Sequence, residues 1–398
     1  MKPKIRFKGF EGEWKASKLG EIAPLSGGYA FQSNHFSSVG IPIVRISNIL
    51  ETGIVGGDFA KYATFNGDAE FRLYDGDAVI AMSGATTGKV AVVHTQEFLY
   101  QNQRVGKFTK TDKVNYDFLT TIVKSHKFRA DLSSLLTSSA QPNASSRDID
   151  SITQSIPFDK DEQKVIGKYF TSLDSQISAS TSRLASLKQM KAASLQAMFP
   201  REGETVPKIR FKGFEGEWKK VKADSIFKTF NEKNRPDLPV LSATQDRGMV
   251  TRESIGYNIF HDTSNEATYK HILPGQFVIH LRSFQGGFAH SEIEGIASPA
   301  YTIMDFKNKD LYHDYYWRYV FMSKEFIKRL ELITYGIRDG RSISYDEFKE
   351  MSFLVPSKEE QIKIASYLKN LDRQISLQSQ RMEKLKQIKS ACLDKMFV

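Results

Sequence analysis

The sequence predicts an α+β fold that arose by duplication: two similar mixed α/β domains separated by two long antiparallel helices, which form a coiled coil with internal pseudo-two-fold symmetry. Two repeats support this prediction. The segment PKIRFKGFEGEW occurs twice without change, at residues 3–14 and 207–218. A longer and less strict repeat covers residues 162–199 and 360–397. Because the first repeat opens each half and the second closes it, two matching frames follow each other along the chain.

The repeats also set the expected domain boundaries. Pro200, Gly203 and Pro207 follow the first long repeat, and a helix does not continue through such residues. We therefore expect a first globular domain over residues 1–155, a first long helix over 156–200, a linker over 201–206, a second globular domain over 207–354 and a second long helix over 355–398.

Both long repeats carry a narrow apolar seam. Apolar residues recur at alternating steps of three and four, which is the a/d pattern of a coiled coil. Such a seam needs a partner helix, so we expect the duplicated helices to pair antiparallel and to hold the two domains at a fixed separation. Separate packing of each helix on its own domain is the alternative. The predicted seam consists of Ile166, Phe170, Leu173, Ile177, Leu184, Leu187, Ile364, Leu368, Leu371, Ile375, Met382 and Leu385.

The inserts between the repeats have diverged, although their patterns still align. Short apolar runs alternate with glycine-rich turns in the first insert, as in IPIVRI at residues 41–46, and a helical stretch follows. GQFVI at 275–279 takes the place of GDAVI at 76–80. Each insert therefore predicts a mixed α/β domain. Matching frames with different inserts suit a chain that recognises two different targets.

Composition limits the class of protein. The 398 residues carry a net charge of +10, which favours a polyanionic partner such as nucleic acid, although a merely basic surface gives the same balance. Cys392 is the single cysteine, which excludes a disulfide framework and a CxxC zinc site and suits a cytoplasmic location. The eight histidines show no metal-ligand spacing, so no metal site is predicted.

Polar loops beside the predicted strands are the candidate contacts to nucleic acid. Glycines let the backbone approach a ligand, while hydroxyl, amide and basic side chains donate to phosphates and base edges. A solvated loop without a ligand is the alternative at each place. The candidates in the first half are Arg45, Ser47, Asn48, Ser83, Thr86, Thr87, Lys89, Gln101, Asn102, Gln103 and Arg104; those in the second half are Lys233, Arg235, Arg282, Ser283, Gln285, Arg338 and Arg341.

The sequence contains no catalytic motif. The Asn/Asp-Pro-Pro-aromatic tetrapeptide of adenine methyltransferases is absent, and so is GxGxxG after a predicted strand. Residues 84–89 lack the glycine spacing of a phosphate-binding loop, and Val90 stands where Ser or Thr would bind magnesium. We therefore expect the chain to be non-catalytic by itself.

Several longer segments, in a fixed order, carry a family resemblance. They include RFKGFEGEW at 6–14 and 210–218, GGYAFQS at 27–33, GDAVIAMSGATTGKVAVV at 76–93 and NQRVGKF at 102–108. With these segments the chain resembles the specificity subunit of a type I restriction–modification system over essentially its whole length. The second insert departs from the pattern, because NEKNRPDLPVLSATQDRG replaces the GGYAFQS and RISNI segments of the first.

The resemblance implies a function. Each insert would be a target recognition domain that reads one half of a bipartite DNA site, and Tyr29 joins the candidate contacts. The helices would set the gap between the half-sites and dock two modification (methyltransferase) subunits. Two restriction (endonuclease/translocase) subunits would complete a complex with adenine-N6 methylation and ATP-dependent cleavage activity.

The resemblance also places the cofactors on the partners. S-adenosylmethionine, ATP and magnesium would bind the modification and restriction subunits, and none would bind this chain. A protein-binding coiled-coil adaptor without DNA specificity is the alternative function.

Overall fold

The computed structural model describes residues 2–136, 143–244, 247–255, 263–280, 287–333 and 343–397. The chain divides into two units, the first of residues Met1–Thr181 with Gln380–Val398 and the second of residues Ser182–Ser379. From the sequence we expected the long helices to be segments separate from the globular domains. The division into two units cuts across both helices, so that each unit contains one end of each helix.

The first unit combines short strands and short helices ahead of the first long helix. Its strands are β1 (Lys15–Lys18), β2 (Leu25–Ser26), β3 (Ile41–Val44), β4 (Lys61–Tyr62), β5 (Arg72–Leu73), β6 (Ala78–Ala81), β7 (Val90–Val92), β8 (Leu99–Gln101), β9 (Val105–Phe108) and β10 (Thr153–Ile156). Its helices are α1 (Leu19–Ile22), α2 (Tyr116–Ile122), α3 (His126–Leu136), α4 (Ser146–Ser151) and the beginning of α5 (Lys160–Ala197).

Two sheets share the core of the first unit. One has the antiparallel strand order β2-β9-β6-β7, and the other has the order β4-β3-β8-β5, in which β3 and β8 run parallel. Side chains alternate along a strand. Ala78 and Ile80 of β6 therefore pack with the helices, while Val79 and Ala81 pack with the second sheet. Burial on both faces explains why β6 is apolar at every position.

The second unit repeats the same plan. Its strands are β11 (Lys219–Lys222), β12 (Phe227–Phe230), β13 (Leu241–Thr244), β14 (Gly248–Thr251), β15 (Lys270–Ile272), β16 (Phe277–Ile279), β17 (Phe288–His290), β18 (Gly295–Ala297), β19 (Thr302–Phe306) and β20 (Ser352–Val355). Its helices are α6 (Ala223–Ile226), α7 (Asp314–Met322), α8 (Lys324–Ile333), α9 (Tyr345–Glu350) and the beginning of α10 (Lys358–Met396).

The sheet orders show the duplication directly. The order β12-β19-β16-β17 of the second unit corresponds strand for strand to β2-β9-β6-β7 of the first. The ladder β11-β20 corresponds to β1-β10. Within the described residues, the second sheet of the first unit is not repeated as a single sheet, because β13 pairs with β14 and β15 pairs with β18 as separate ladders. The prediction of two similar mixed α/β domains is confirmed.

The long helices pair antiparallel within each unit. In the first unit, Tyr169 Oη lies 3.6 Å from Cys392 Sγ, and Asp174 forms an ion pair of 2.5 Å with Lys389. Residue numbers rise along α5 while those of its partners fall along α10, which defines the antiparallel direction. The second unit repeats both contacts, with Ser194 Oγ 3.2 Å from Tyr367 Oη and Lys191 2.5 Å from Asp372.

The predicted seam is buried most completely toward the ends of the helices. Ile177, Ile375, Met382 and Leu385 are half-buried, and the other predicted seam residues are buried. Near its N-terminus α5 packs on its own domain as well as on α10, since the Phe170 and Phe118 rings both contact Phe397. The two alternatives for the seam are thus combined, and burial of the Phe170 side chain contributes about 2–3 kcal/mol.

The unchanged repeat forms a clamp on the start of a long helix. We call residues 3–14 the first clamp and residues 207–218 the second clamp. Arg6 donates two hydrogen bonds of 2.6 Å to the buried carboxylate of Glu162, and its third nitrogen donates to Gly12 O. Arg210 binds the Glu360 carboxylate in the same way, with two hydrogen bonds of 2.7 Å.

Each clamp also holds the end of the other long helix. In the first clamp, Lys4 N and Ile5 N donate to Lys395 O in the last turn of α10, at 2.9 and 3.3 Å. In the second clamp, Ile209 N donates to Ala197 O at the end of α5, at 2.9 Å. These bonds satisfy carbonyl groups that have no partner within a helix end. Each clamp therefore ties the start of one helix to the end of the other.

The glutamine that follows each clamped glutamate connects the long helix to the globular domain. Gln163 accepts from Asn115 N at 2.7 Å and donates to Pro157 O, while Asn115 caps α2. Gln361 likewise accepts from His313 N at 2.9 Å, just ahead of α7. The repeated Glu-Gln pair thus joins the clamp and the globular domain to the same turn of helix.

Loss of the arginine from one clamp should destabilise its unit. Arg210→Ala leaves the buried Glu360 carboxylate unpaired, and we expect the free energy of unfolding of the second unit to fall by about 2–4 kcal/mol. Arg6→Ala should cost a similar amount in the first unit, because the geometry is the same. Urea denaturation measures both changes.

Lys212→Ala supplies the matched control, since Lys212 lies in the second clamp with an exposed side chain. This variant should change the stability by less than about 0.5 kcal/mol. A loss of stability as large as that of Arg210→Ala would show that the ion pair is not what holds the clamp.

Candidate nucleic-acid interface

The candidate contacts of the first unit converge where the chain passes from β8 to β9. Tyr29 N donates to Gln101 O at 2.8 Å, and Gln103 N donates to Tyr29 O at 2.9 Å. The Tyr29 ring packs among Phe65 and Phe71, with ring centroids 4.7 and 5.2 Å away. The aromatic contacts anchor the segment that carries Tyr29 beside the β8–β9 turn, which comprises residues 102–104.

Two further candidate loops reach the same turn. Asn102 N donates to Val44 O at 3.1 Å, directly before Arg45, and Met82 N donates to Arg104 O at 2.9 Å, directly before the loop 83–89. The short helical turns Ile46–Asn48 and Gly84–Thr86 also contact each other. The four loops that the sequence selected therefore form one surface, which we call the candidate face.

Gly28 allows the close approach on which the candidate face depends. A Cβ atom at this position would lie 2.3 Å from both Gln101 O and Asn102 O, so any other residue would push the segments apart. This glycine has a steric role that the sequence motif alone did not reveal.

Two of the predicted contacts point into the protein. Asn48 is buried; its Oδ1 accepts from Arg45 N, and its Nδ2 donates to Gly56 O and Asp58 O, each at 3.0 Å. Its amide is fully occupied in ordering the Arg45 segment. We assign Asn48 a structural role, because its side chain is not available to a ligand in this structure.

Gln101 requires the same correction. The side chain is buried, and its Nε2 donates to Ser26 O and Val105 O, both at 2.8 Å. The amide thereby ties β2 to β9 beneath the β8–β9 turn. A polar side chain in a loop sequence gives no sign of its direction, which is why the sequence placed Asn48 and Gln101 among the contacts.

The loop 83–89 is largely closed on itself. Ser83 is buried, and Thr87 Oγ1 donates to Gly84 O at 2.7 Å. Lys89 forms an ion pair with Glu51, and hydrogen bonding to Lys89 holds the pKa of the Glu51 carboxyl below its usual range. Thr86 is half-buried, and its hydroxyl oxygen has no hydrogen-bond partner among the residues that the structure describes.

The side chains that remain open lie on the other loops. Ser47, Gln103 and Arg104 are exposed, and Asn102 is half-buried with its Oδ1 accepting from Arg104 N at 3.3 Å. Arg45 is half-buried, and its Nε makes no hydrogen bond to any described residue. The candidate face therefore carries donors that meet no acceptor in the described part of the chain.

In the second unit, one candidate cation is exposed and another is paired with acidic residues. Lys233 is exposed, but Arg235 donates to Asp237 at 3.0 and 3.1 Å and lies 3.7 Å from Glu294. The hydrogen bond from Arg235 also lowers the pKa of Asp237. Arg282, Ser283, Gln285, Arg338 and Arg341 lie outside the described residues.

A buried histidine links the acidic groups around Arg235. His271 Nδ1 lies 3.0 Å from Glu232, and His271 Nε2 lies 2.9 Å from Glu294. These three residues are far apart in the sequence and form no spaced motif, so no sequence signal could have found the cluster. Its carboxylates reduce the positive charge available near Arg235.

The described residues contain neither a group of side chains suited to a metal ion nor a helix suited to a membrane. Among residues 2–136, 143–244 and the later described segments, no three or more His, Cys, Asp or Glu side chains form a group suited to a metal ion. The described part of the chain also has no helix with the length and hydropathy needed to cross a membrane.

Comparison with known proteins gives a consistent family match. The family described as "Type I restriction modification DNA specificity domain" matches the chain twice, over residues 11–189 and 215–387. The type I restriction enzyme MjaVIII specificity subunit of Methanocaldococcus jannaschii is 28% identical over 178 residues, which cover 42% of this chain and 40% of that protein. The chain thus spans about two fifths of the length of this curated relative.

A solved structure shows the same fold over the full length. The S subunit of a type I restriction–modification system from M. genitalium matches with a TM-score of 0.67 at 14% sequence identity, covering 100% of this chain and 99% of that one. At this identity the likeness concerns the fold alone.

Gln101 is buried and Gln103 is exposed, and this difference leads to a stability prediction. Gln101→Leu removes two buried hydrogen bonds and leaves Ser26 O and Val105 O without their donor, so the free energy of unfolding of the first unit should fall by about 1–3 kcal/mol. Gln103→Ala should change it by less than about 0.5 kcal/mol, because that side chain is exposed. Chemical denaturation of the two variants tests this, and equal effects would contradict the assignment of Gln101 as structural.

Proposed function

The chain belongs to the type I restriction modification DNA specificity domain family, and from this premise we propose that it is the DNA-recognition subunit of a type I restriction–modification complex. Each globular domain reads one half of a bipartite DNA site. The observation that carries the proposal is the candidate face: four loops of the first unit converge and present Ser47, Gln103 and Arg104, whose side chains have no partner among the residues that the structure describes. Amide and guanidinium groups are suited to base edges, and basic groups to phosphates.

The duplication supports a site with two different halves. The clamps and the first sheet recur in both units, whereas the candidate loops differ in sequence and in charge pairing. The shared frame supports recognition from equivalent positions of the two domains. Different loops on that frame suit two different short sequences.

Catalysis belongs to the partner subunits in this proposal. Modification subunits bind S-adenosylmethionine and methylate adenine at N6, and restriction subunits bind ATP and magnesium and cleave DNA. The chain itself supplies the choice of site, which agrees with a family described by its DNA specificity.

The helix pair is the proposed docking place for two modification subunits. Met190 on α5 and Ile388 on α10 hold equivalent positions in the long repeats, and both side chains are exposed although they are apolar. The repetition supports two copies of the same partner, one for each position.

The main alternative is a coiled-coil adaptor that binds only protein. A DNA-binding measurement on the assembled complex separates the two functions. Specific binding should weaken by orders of magnitude between about 50 and 200 mM salt, because phosphate contacts release condensed counterions. Failure of the assembled complex to bind DNA with sequence preference would favour the adaptor.

Exchange of one insert should change one half-site only. Residues 19–152 lie between the paired strands β1 and β10, so replacing them with the insert of a relative leaves the ladder and the clamp intact. Methylated adenines mapped in cells with and without the chain give the recognised sequence. We expect a new first half-site with an unchanged second half and gap; a change in both halves, or in neither, would refute the assignment.

The length of the helix pair should set the gap between the half-sites. Four residues inserted into each long helix, between Ser178 and Arg183 and at the equivalent place between Ser376 and Arg381, lengthen the pair by about 6 Å. The rise of duplex DNA is about 3.4 Å per base pair. The gap in the methylated sequence should therefore grow by one or two base pairs, while both half-sites stay the same.

An insertion into α5 alone serves as the control for this experiment. The paired helices run antiparallel, so a one-sided insertion cannot keep both the contact of Asp174 with Lys389 and that of Lys191 with Asp372 in register, and it should lower the yield of active complex. An unchanged gap in an active variant with both insertions would show that the spacing is set elsewhere.

A further inference from the structure

The β8–β9 turn combines a fixed backbone with free side chains. Its main chain is held by the bonds from Gln103 N to Tyr29 O and from Asn102 N to Val44 O, and by Val105 N donating to Asn102 O at 2.9 Å. The buried amide of Gln101 braces the turn from below. A recognition element needs this rigidity, because hydrogen bonds to base edges tolerate displacements of only about 0.5 Å.

The two side chains at the tip of the turn have no protein partner. Gln103 and Arg104 are exposed, and within the described residues neither side chain makes a hydrogen bond or an ion pair. Arg104 N is held by Asn102 Oδ1, so the start of the arginine side chain is fixed while its guanidinium group is free. The other polar candidates of this face are more restricted, since Asn48 and Gln101 are engaged and Ser83 is buried.

The corresponding turn of the second unit has different chemistry. By the order of the strands, the connection from β18 to β19 corresponds to the one from β8 to β9. It consists of Ser298, Pro299, Ala300 and Tyr301, with Tyr301 N donating to Ser298 O at 3.1 Å. The second turn thus carries neither an amide side chain nor a cation. A position that differs in this way between two matching frames is where different bases would be read.

We propose that Gln103 and Arg104 read base edges of the first half-site in the major groove. The inference rests on the proposed function and names the residues that act at its first recognition face. A glutamine amide presents a donor and an acceptor that match N7 and N6 of adenine, and an arginine guanidinium presents two donors that match O6 and N7 of guanine. Phosphates need only a positive charge, whereas this pair on a fixed backbone has the directionality that base pairs require.

The test uses the full chain produced with its modification partners, and methylated adenines as the readout. Gln103→Ala and Arg104→Ala are made separately. Each variant should relax one base pair of the first half-site, with discrimination at that position reduced on the order of ten- to a hundredfold. The second half-site and the gap should stay unchanged. Uniformly weaker methylation without any change in the recognised sequence would overturn the proposal in favour of a phosphate contact.

Two further variants separate charge from geometry. Arg104→Lys keeps the charge and loses the paired donors, so base reading predicts relaxed specificity, whereas full retention of the recognised sequence would overturn it. Lys113→Ala removes one exposed charge beyond the other end of β9 and should leave every position of the site unchanged. Melting temperatures confirm that the variants fold.

The wild-type chain distinguishes failure of this inference from failure of the function. If the wild-type complex methylates no bipartite site, the proposed function itself fails. If it does methylate such a site and the turn variants leave the sequence unchanged, only the assignment of Gln103 and Arg104 is wrong.

Discussion

The bidentate ion pair between a clamp arginine and a buried helix glutamate is the interaction on which the architecture depends. Glu162 and Glu360 are almost fully buried, and a buried carboxylate is tolerated only when strong donors satisfy it. Arg6 and Arg210 do so with two parallel bonds each. Each clamp also binds the last turn of the opposite helix, so one short segment joins the start of one long helix to the end of the other. This double role gives a physical reason for two copies of the segment with the same sequence.

Ion pairs along the helices set their register. Lys191 and Lys389 interrupt the apolar seam in the sequence, yet each meets an aspartate of the opposite helix, Asp372 or Asp174. A polar residue in a seam costs stability when its helix shifts, so it specifies one alignment. A further residue contacts each aspartate, and it differs between the units: Tyr319 donates to Asp372, whereas Lys124 lies 3.5 Å from Asp174. The frame is therefore repeated, while its junction with each globular domain is adapted individually.

The sequence predicted the frame better than the candidate site, for a physical reason. A seam that recurs every three or four residues over a long helix provides many agreeing signals, and the duplication provides them twice. The segments around Tyr29, Arg45 and Arg104 converge in the structure, and their role as nucleic-acid contacts stays a prediction. Their inward or outward direction depends on partners distant in sequence. Gln101 meets Ser26, and Arg235 meets Glu294, and no local pattern contains those pairings.

The division between buried and exposed polar groups explains how one fold can carry two different loop surfaces. The arginine–glutamate clamps, the Nε2 groups of the buried glutamines and the Asn48 amide have hydrogen-bond partners inside the protein, so changing any of them leaves a buried group unpaired and is costly. Ser47, Gln103 and Arg104 are exposed, so changing them costs the fold little. A duplicated chain can therefore keep its clamps while its loops diverge. The exposed residues of the candidate face can differ at little cost to stability, because the buried amides beneath them stay the same and hold the loops in place.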